Sequence, residues 1–144
     1  MKKWFKIFLV VVLGSTTAGV VRDVMDEREL SDTQLVKLNQ SISKNNNIEV
    51  ADGMVLERGF LTLIDGNLAF NYNYKLAYSL PDTMNPDELA SYYGEGVKKQ
   101  AMDLCQTKKI IELHDYSNVD TVKFSYHYSS KNNRFFFVNH SCDL

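Results

Sequence analysis

The chain has only two cysteines, three histidines and one tryptophan in 144 residues. It also lacks the short motifs that announce chemistry. Cys105 and Cys142 are far from CxxC spacing, so a catalytic redox pair is not expected, and one disulfide would leave no thiol as a nucleophile. His114, His127 and His140 offer no HxxxH and no paired imidazoles, so no metal site is expected. His114, beside Asp115, reads as part of a solvated loop. His127 reads as an exposed strand residue and His140 as a half-buried one. No GxSxG is present, and Gly94-Glu95-Gly96 is not followed by a phosphate-binding pattern. Carboxylates are scattered without a pairing that sequence can argue. The chain is therefore expected to be no enzyme and to need no cofactor.

Positive charge is also in short supply. The formal net charge is −2, and three of the cations, Lys2, Lys3 and Lys6, sit at the very start. Without them the remainder carries about −5. A mildly acidic domain gains nothing from counterion release at phosphate, so nucleic acid is not an expected partner. Lys98-Lys99 and Lys108-Lys109 read as one solvated helix surface.

The only unbroken hydrocarbon run, IFLVVVL from Ile7, follows MKKWFK and precedes the small residues GSTTAG. Basic, apolar and small segments in that order make a secretory signal. Uncleaved, the same stretch is a membrane anchor. Its charge-free part, residues 7–21, would span roughly 22 Å as a helix, against a core of about 30 Å, unless residues 4–6 extend it. Residues 1–22 are thus a signal peptide or an N-terminal anchor, and any membrane contact is expected only through residues 4–21 if they are retained. Both readings place the rest outside the cytoplasm, in the periplasm, either soluble or held at the inner membrane.

What the chain has in plenty is aromatic: eight Tyr and eight Phe. Residues 67–80 alternate, with Leu68, Phe70, Tyr72, Tyr74, Leu76 and Tyr78 at every second position, which predicts a strand with one buried and one wet face. Residues 53–64 read as its hairpin partner across Asp65-Gly66, with Gly59 as a bulge or bend. Val122, Phe124, Tyr126 and Tyr128 mark a third strand over 119–128, and residues 134–142 a fourth. Phe136, Val138 and Cys142 share one face of that last strand, so Phe135 and Phe137 take the other.

Two helices are expected. One begins at a capping box, Ser31 with Gln34, and carries Leu35, Leu38 and Ile42 on one stripe. The other begins at Asn85-Pro86, with Glu88 closing the box, and runs to Cys105; Gly94 and Gly96 inside it either let it approach the sheet or mark a break. The predicted fold class is α+β: an antiparallel four-stranded sheet with helix packed on one face, in the order α-β-β-α-β-β. Residues 23–46 form a helical segment and 47–144 a disulfide-linked α+β domain. Outside the cytoplasm Cys105 and Cys142 are expected to bond, the alternative being two buried free thiols.

The FNYNYKL and VKFSYHY strands, the helix ending at Cys105 and the last strand closing with Cys142 together cover about half the chain. In these features it resembles small exported bacterial proteins of unknown function with aromatic strands and one Cys pair. The resemblance implies the helix-on-sheet layout and the disulfide, and transfers no catalytic residues. The expected function is a non-catalytic envelope interaction module, such as an accessory, inhibitor or immunity-type protein. Its partner would be another envelope protein or a second copy of itself. The alternative is a carrier of a small apolar ligand on a Tyr-lined sheet face. Candidate binding residues are Tyr72, Tyr74, Tyr78, Tyr126 and Tyr128, together with Phe135 and Phe137.

Overall fold

The computed structural model describes residues 29–143; the expected signal or anchor lies outside them. Helix α1 (Asp32–Ser43) starts where the capping box predicts. Ser31 Oγ accepts the Gln34 N–H at 3.2 Å, and Gln34 Oε1 accepts the Ser31 N–H at 2.9 Å. Strands β1 (Ile48–Ala51), β2 (Met54–Ile64) and β3 (Asn67–Leu76) follow. Asp65 and Gly66 join β2 to β3 with φ of 51° and 81°, the two positive values that a type I′ turn needs. Three helices come next: α2 (Pro86–Tyr93), α3 (Glu95–Cys105) and α4 (Lys108–His114). Asn85 Oδ1 caps α2 by accepting the Glu88 N–H at 2.8 Å. Strands β4 (Thr121–Ser129) and β5 (Phe135–Ser141) complete the fold.

The α+β class is observed, but the sheet differs from the expected one. It has five strands in the order β1-β2-β3-β4-β5, and β3 pairs with β4 in parallel. The element order is α-β-β-β-α-α-α-β-β. The extra strand, IEVA, is four residues long, too short to display a period. The parallel pair follows from the connection: residues 77–120 carry three helices across one face and return the chain to the end from which β3 began, as a crossover does.

Smaller corrections have equally local causes. The bulge in β2 falls between Leu56 and Arg58, before Gly59. Gly59 instead lets α1 approach, since a Cβ there would stand 2.8 Å from Ile42 Cγ2. The second expected helix is broken at Gly94, where a side chain would run into Val138 of β5 and the α2 carbonyl of Ala90. Gly94 therefore serves both purposes, close approach and break. His114 is not in a loop: it ends α4, with Nε2 hydrogen-bonded to the Asp120 carbonyl at 2.9 Å.

One face of the sheet is core. Leu38 and Ile42 of α1, Leu89 of α2, Val97, Ala101 and Leu104 of α3, and Ile110 and Leu113 of α4 are buried in a single cluster with the inward-pointing strand residues. Cys105, the last residue of α3, is bonded to Cys142, just past β5, with Cα atoms 5.4 Å apart. The bond holds the helical layer to the final strand. Among the described residues no helix is long and apolar enough to cross a membrane.

Candidate functional site

The aromatic residues singled out from the sequence divide between two faces. Parallel register places Phe70 beside Phe124, Tyr72 beside Tyr126 and Tyr74 beside Tyr128. Their rings stack, with centroids 5.1, 5.5 and 4.9 Å apart, and Tyr128 stacks again on Phe136 at 4.7 Å. Tyr72, Tyr74, Tyr126 and Tyr128 are each only 1% exposed. They form the centre of the core under the helices, and only Tyr78, beyond the end of β3, is half-exposed.

Burial governs the electrostatics there. Desolvation disfavours the phenolate and pushes all four buried phenols well above their ordinary value. The Tyr74 and Tyr126 hydroxyls are raised further by neighbouring Tyr groups. The Tyr72 and Tyr126 hydroxyls have no hydrogen-bond partner among the described residues.

Phe135 and Phe137 point the other way. They are 43% and 51% exposed on the outer face of the sheet. The stripe on α1 does not cover them, because α1 packs over β2 on the inner face, with Ile42 against Gly59. Phe137 sits opposite His127, and the two rings stack at 4.6 Å. Phe135 meets Phe137 edge-on at 5.6 Å. His127, expected to be exposed, is thereby half-buried. Desolvation lowers its pKa, and the nearby Glu57 carboxylate offsets part of that. The imidazole is a neutral, flat extension of the aromatic patch at pH 7.

Neighbouring outer-face rows carry planar polar groups. Arg58, Asn73, His127 and Phe137 lie across four strands in one row, and Phe60, Asn71, Ser125 and Asn139 in the next. The Arg58 guanidinium lies over the Phe60 ring at 4.6 Å. Ser125 Oγ donates to Asn139 Oδ1 at 2.7 Å. His127 and Asn139 were not singled out from the sequence as part of a surface. Alternation assigns faces one strand at a time, and strand register is needed to bring these two beside Phe137.

Beside β5 runs a groove of about 440 Å³. It is lined by Ala90, Ser91, Gly94, Glu95 and Lys98 from α2 and α3, and by Phe137, Val138 and Asn139. Among the described residues no group of three or more His, Cys, Asp or Glu is placed to hold a metal ion. No protein-family model matches the chain, and no curated protein and no solved structure matches it either.

Proposed function

We propose that this is an exported, non-catalytic interaction protein whose working surface is the outer face of the sheet around Phe135, Phe137 and His127. The observation that carries the reading is the bare aromatic patch. Two Phe rings stand half in water on one short strand, although the same strand buries Phe136 and Val138. Apolar side chains grouped in this way mark association surfaces. The partner is another envelope protein or a second copy of the chain. The alternative of a small apolar ligand on the Tyr-lined face would require the helical layer to part from the sheet, because the four stacked rings are already covered.

Export is supported by the order of residues 1–19 and is in keeping with the Cys105–Cys142 bond. Fusing residues 1–40 to a reporter enzyme that is active only outside the cytoplasm should give activity. A silent fusion at normal expression would overturn export by either signal or anchor.

The surface itself is tested by a photo-crosslinking residue at position 137 in intact cells, with position 102 on α3 as an exposed control. The expected result is a discrete adduct at 137 that is absent at 102. Replacing Phe135 and Phe137 together by Ser should abolish the association while leaving the thermal midpoint nearly unchanged. A large loss of stability would show that the pair serves packing, and the reading would fall.

A further inference from the structure

The two edges of the sheet are treated very differently. On one side, β1 covers the first part of β2, and polar groups of the α1 region satisfy part of the rest. Asn46 Oδ1 accepts the Gly59 N–H at 2.8 Å. Asn39 Oδ1 accepts the Leu61 N–H at 2.6 Å, and Asn39 Nδ2 donates to the Leu61 carbonyl at 3.0 Å. Where β1 stops, that edge is thus occupied at Gly59 and Leu61.

The β5 edge is bare. Cys142 N–H donates to the Val122 carbonyl, and Ser130 N–H to the Arg134 carbonyl, at the two ends of the β4–β5 ladder. The antiparallel pattern between them turns the backbone groups of Phe136, Val138 and His140 toward β4. The N–H and C=O groups of Phe135, Phe137, Asn139 and Ser141 therefore face away, and none has a partner among the described residues. The usual protections are missing as well. The strand FFFVNHS contains no Lys, no Pro and no other charged residue, and its register shows no bulge.

We infer that β5 pairs with β5 of a second copy of this chain, antiparallel about a two-fold axis at Val138, so that two five-stranded sheets become one. This rests on the reading of β5 as the working strand and names the partner. Two observations choose a second copy. With the axis at Val138, Phe135 faces Ser141 of the other copy and Phe137 faces its Asn139. All four outward-facing residues then find outward-facing residues, over the full length of the strand. Along the groove that flanks the edge, Glu95 and Lys98 are both exposed, so the two flanks meet with balanced charge. The two Phe137 rings become diagonal neighbours across the axis and shield one another from water.

The test is the mass in solution of the disulfide-bonded protein, purified from cells expressing the whole chain. Sedimentation velocity should show a monomer at micromolar concentration passing to a dimer below millimolar. Asn139→Pro removes one outward N–H without touching the β4 ladder, and should leave a monomer throughout. Asn139→Ala, which loses only the side-chain bond to Ser125, should still dimerise. Hydrogen exchange on the unaltered chain gives a second readout: the amides of Phe135, Phe137, Asn139 and Ser141 should become protected as concentration rises, while those of Asn71 and Asn73 do not change. A monomer at every concentration overturns the inference, as does a dimer indifferent to Asn139→Pro. A monomer that crosslinks through position 139 to another protein overturns it in favour of a foreign strand. The sheet-face reading fails separately, because the Phe→Ser pair removes rings and leaves the ladder, while Asn139→Pro does the reverse.

Discussion

Breaking the Cys105–Cys142 bond should lower the thermal midpoint of the domain by about 10 °C or more. The bond closes a loop over a sequence separation of 37 residues. The chain-entropy argument assigns roughly 3–4 kcal/mol to a loop of that length, out of the 5–15 typical of a domain. Position adds to length here. The bond joins the end of α3 to the residue after β5, and β5 has a neighbouring strand on one side only. Without the link the last strand is held by its ladder to β4 and by the packing of Phe136 and Val138 under α2 and α3. Cys105→Ala with Cys142→Ala is the appropriate pair, since Ser would bury a hydroxyl at two sites that are nearly closed to solvent. Its melt should coincide with that of the reduced parent. Exchange should accelerate first in β5 and little in β2 and β3. A double variant melting within a few degrees of the oxidised parent would show that the bond does not stabilise the domain.

Where a local chemical reason is complete within a few residues, the fold was legible in the sequence. Ser31 with Gln34 and Asn85-Pro86 with Glu88 both cap helices, and Asp65-Gly66 makes the turn it encodes. The pairing of Cys105 with Cys142 was legible because there is only one way to pair two cysteines. The direction of pairing between β3 and β4 was not, because alternation specifies a face and is silent on direction. A signal was nevertheless present. Phe70, Tyr72 and Tyr74 repeat as Phe124, Tyr126 and Tyr128, and in-register parallel pairing sets like ring beside like ring. Antiparallel pairing of the same triads would have set Phe against Tyr at the ends.

The site was legible in part for the same reason. The opposition of Phe135 and Phe137 to Phe136 and Val138 is a property of one strand, and alternation alone supplies it. The tyrosines were harder to place. A Tyr-lined face is equally good as a cleft or as a core, and the number of helices above it decides. Three helices in the crossover, where the sequence suggested one, cover the face completely. The seven residues KKIIELH form a helix too short for a hydrophobic stripe to stand out, so the last part of the cover was read as a loop around His114. The bare β5 edge appears only once sheet order is known, because nothing in FFFVNHS says whether the strand is central or terminal.

Alkali should unfold this domain abruptly, within about one to three units above pH 10. In the unfolded chain the phenols of Tyr72, Tyr74, Tyr126 and Tyr128 release their protons near pH 10. In the folded chain burial holds all four well above that value. Above pH 10 the folded state therefore keeps protons that the unfolded state has lost. Stability is intact below the unfolded value and falls as pH rises toward the folded ones. The steepness of that fall grows with the number of such groups, here four. Circular dichroism after brief exposure, with return to pH 8 to confirm reversibility, gives the midpoint and the number of protons released. The test variant is Tyr72→Phe with Tyr126→Phe, which deletes two buried hydroxyls that lack partners and keeps both rings in their stacks. It should be at least as stable as the parent at pH 7, because an unsatisfied buried hydroxyl is costly to keep. Its alkaline transition should move upward and release about two fewer protons. An unchanged proton count in the double variant would mean that these phenols do not couple to folding, and that alkaline loss of structure, if seen, has another origin.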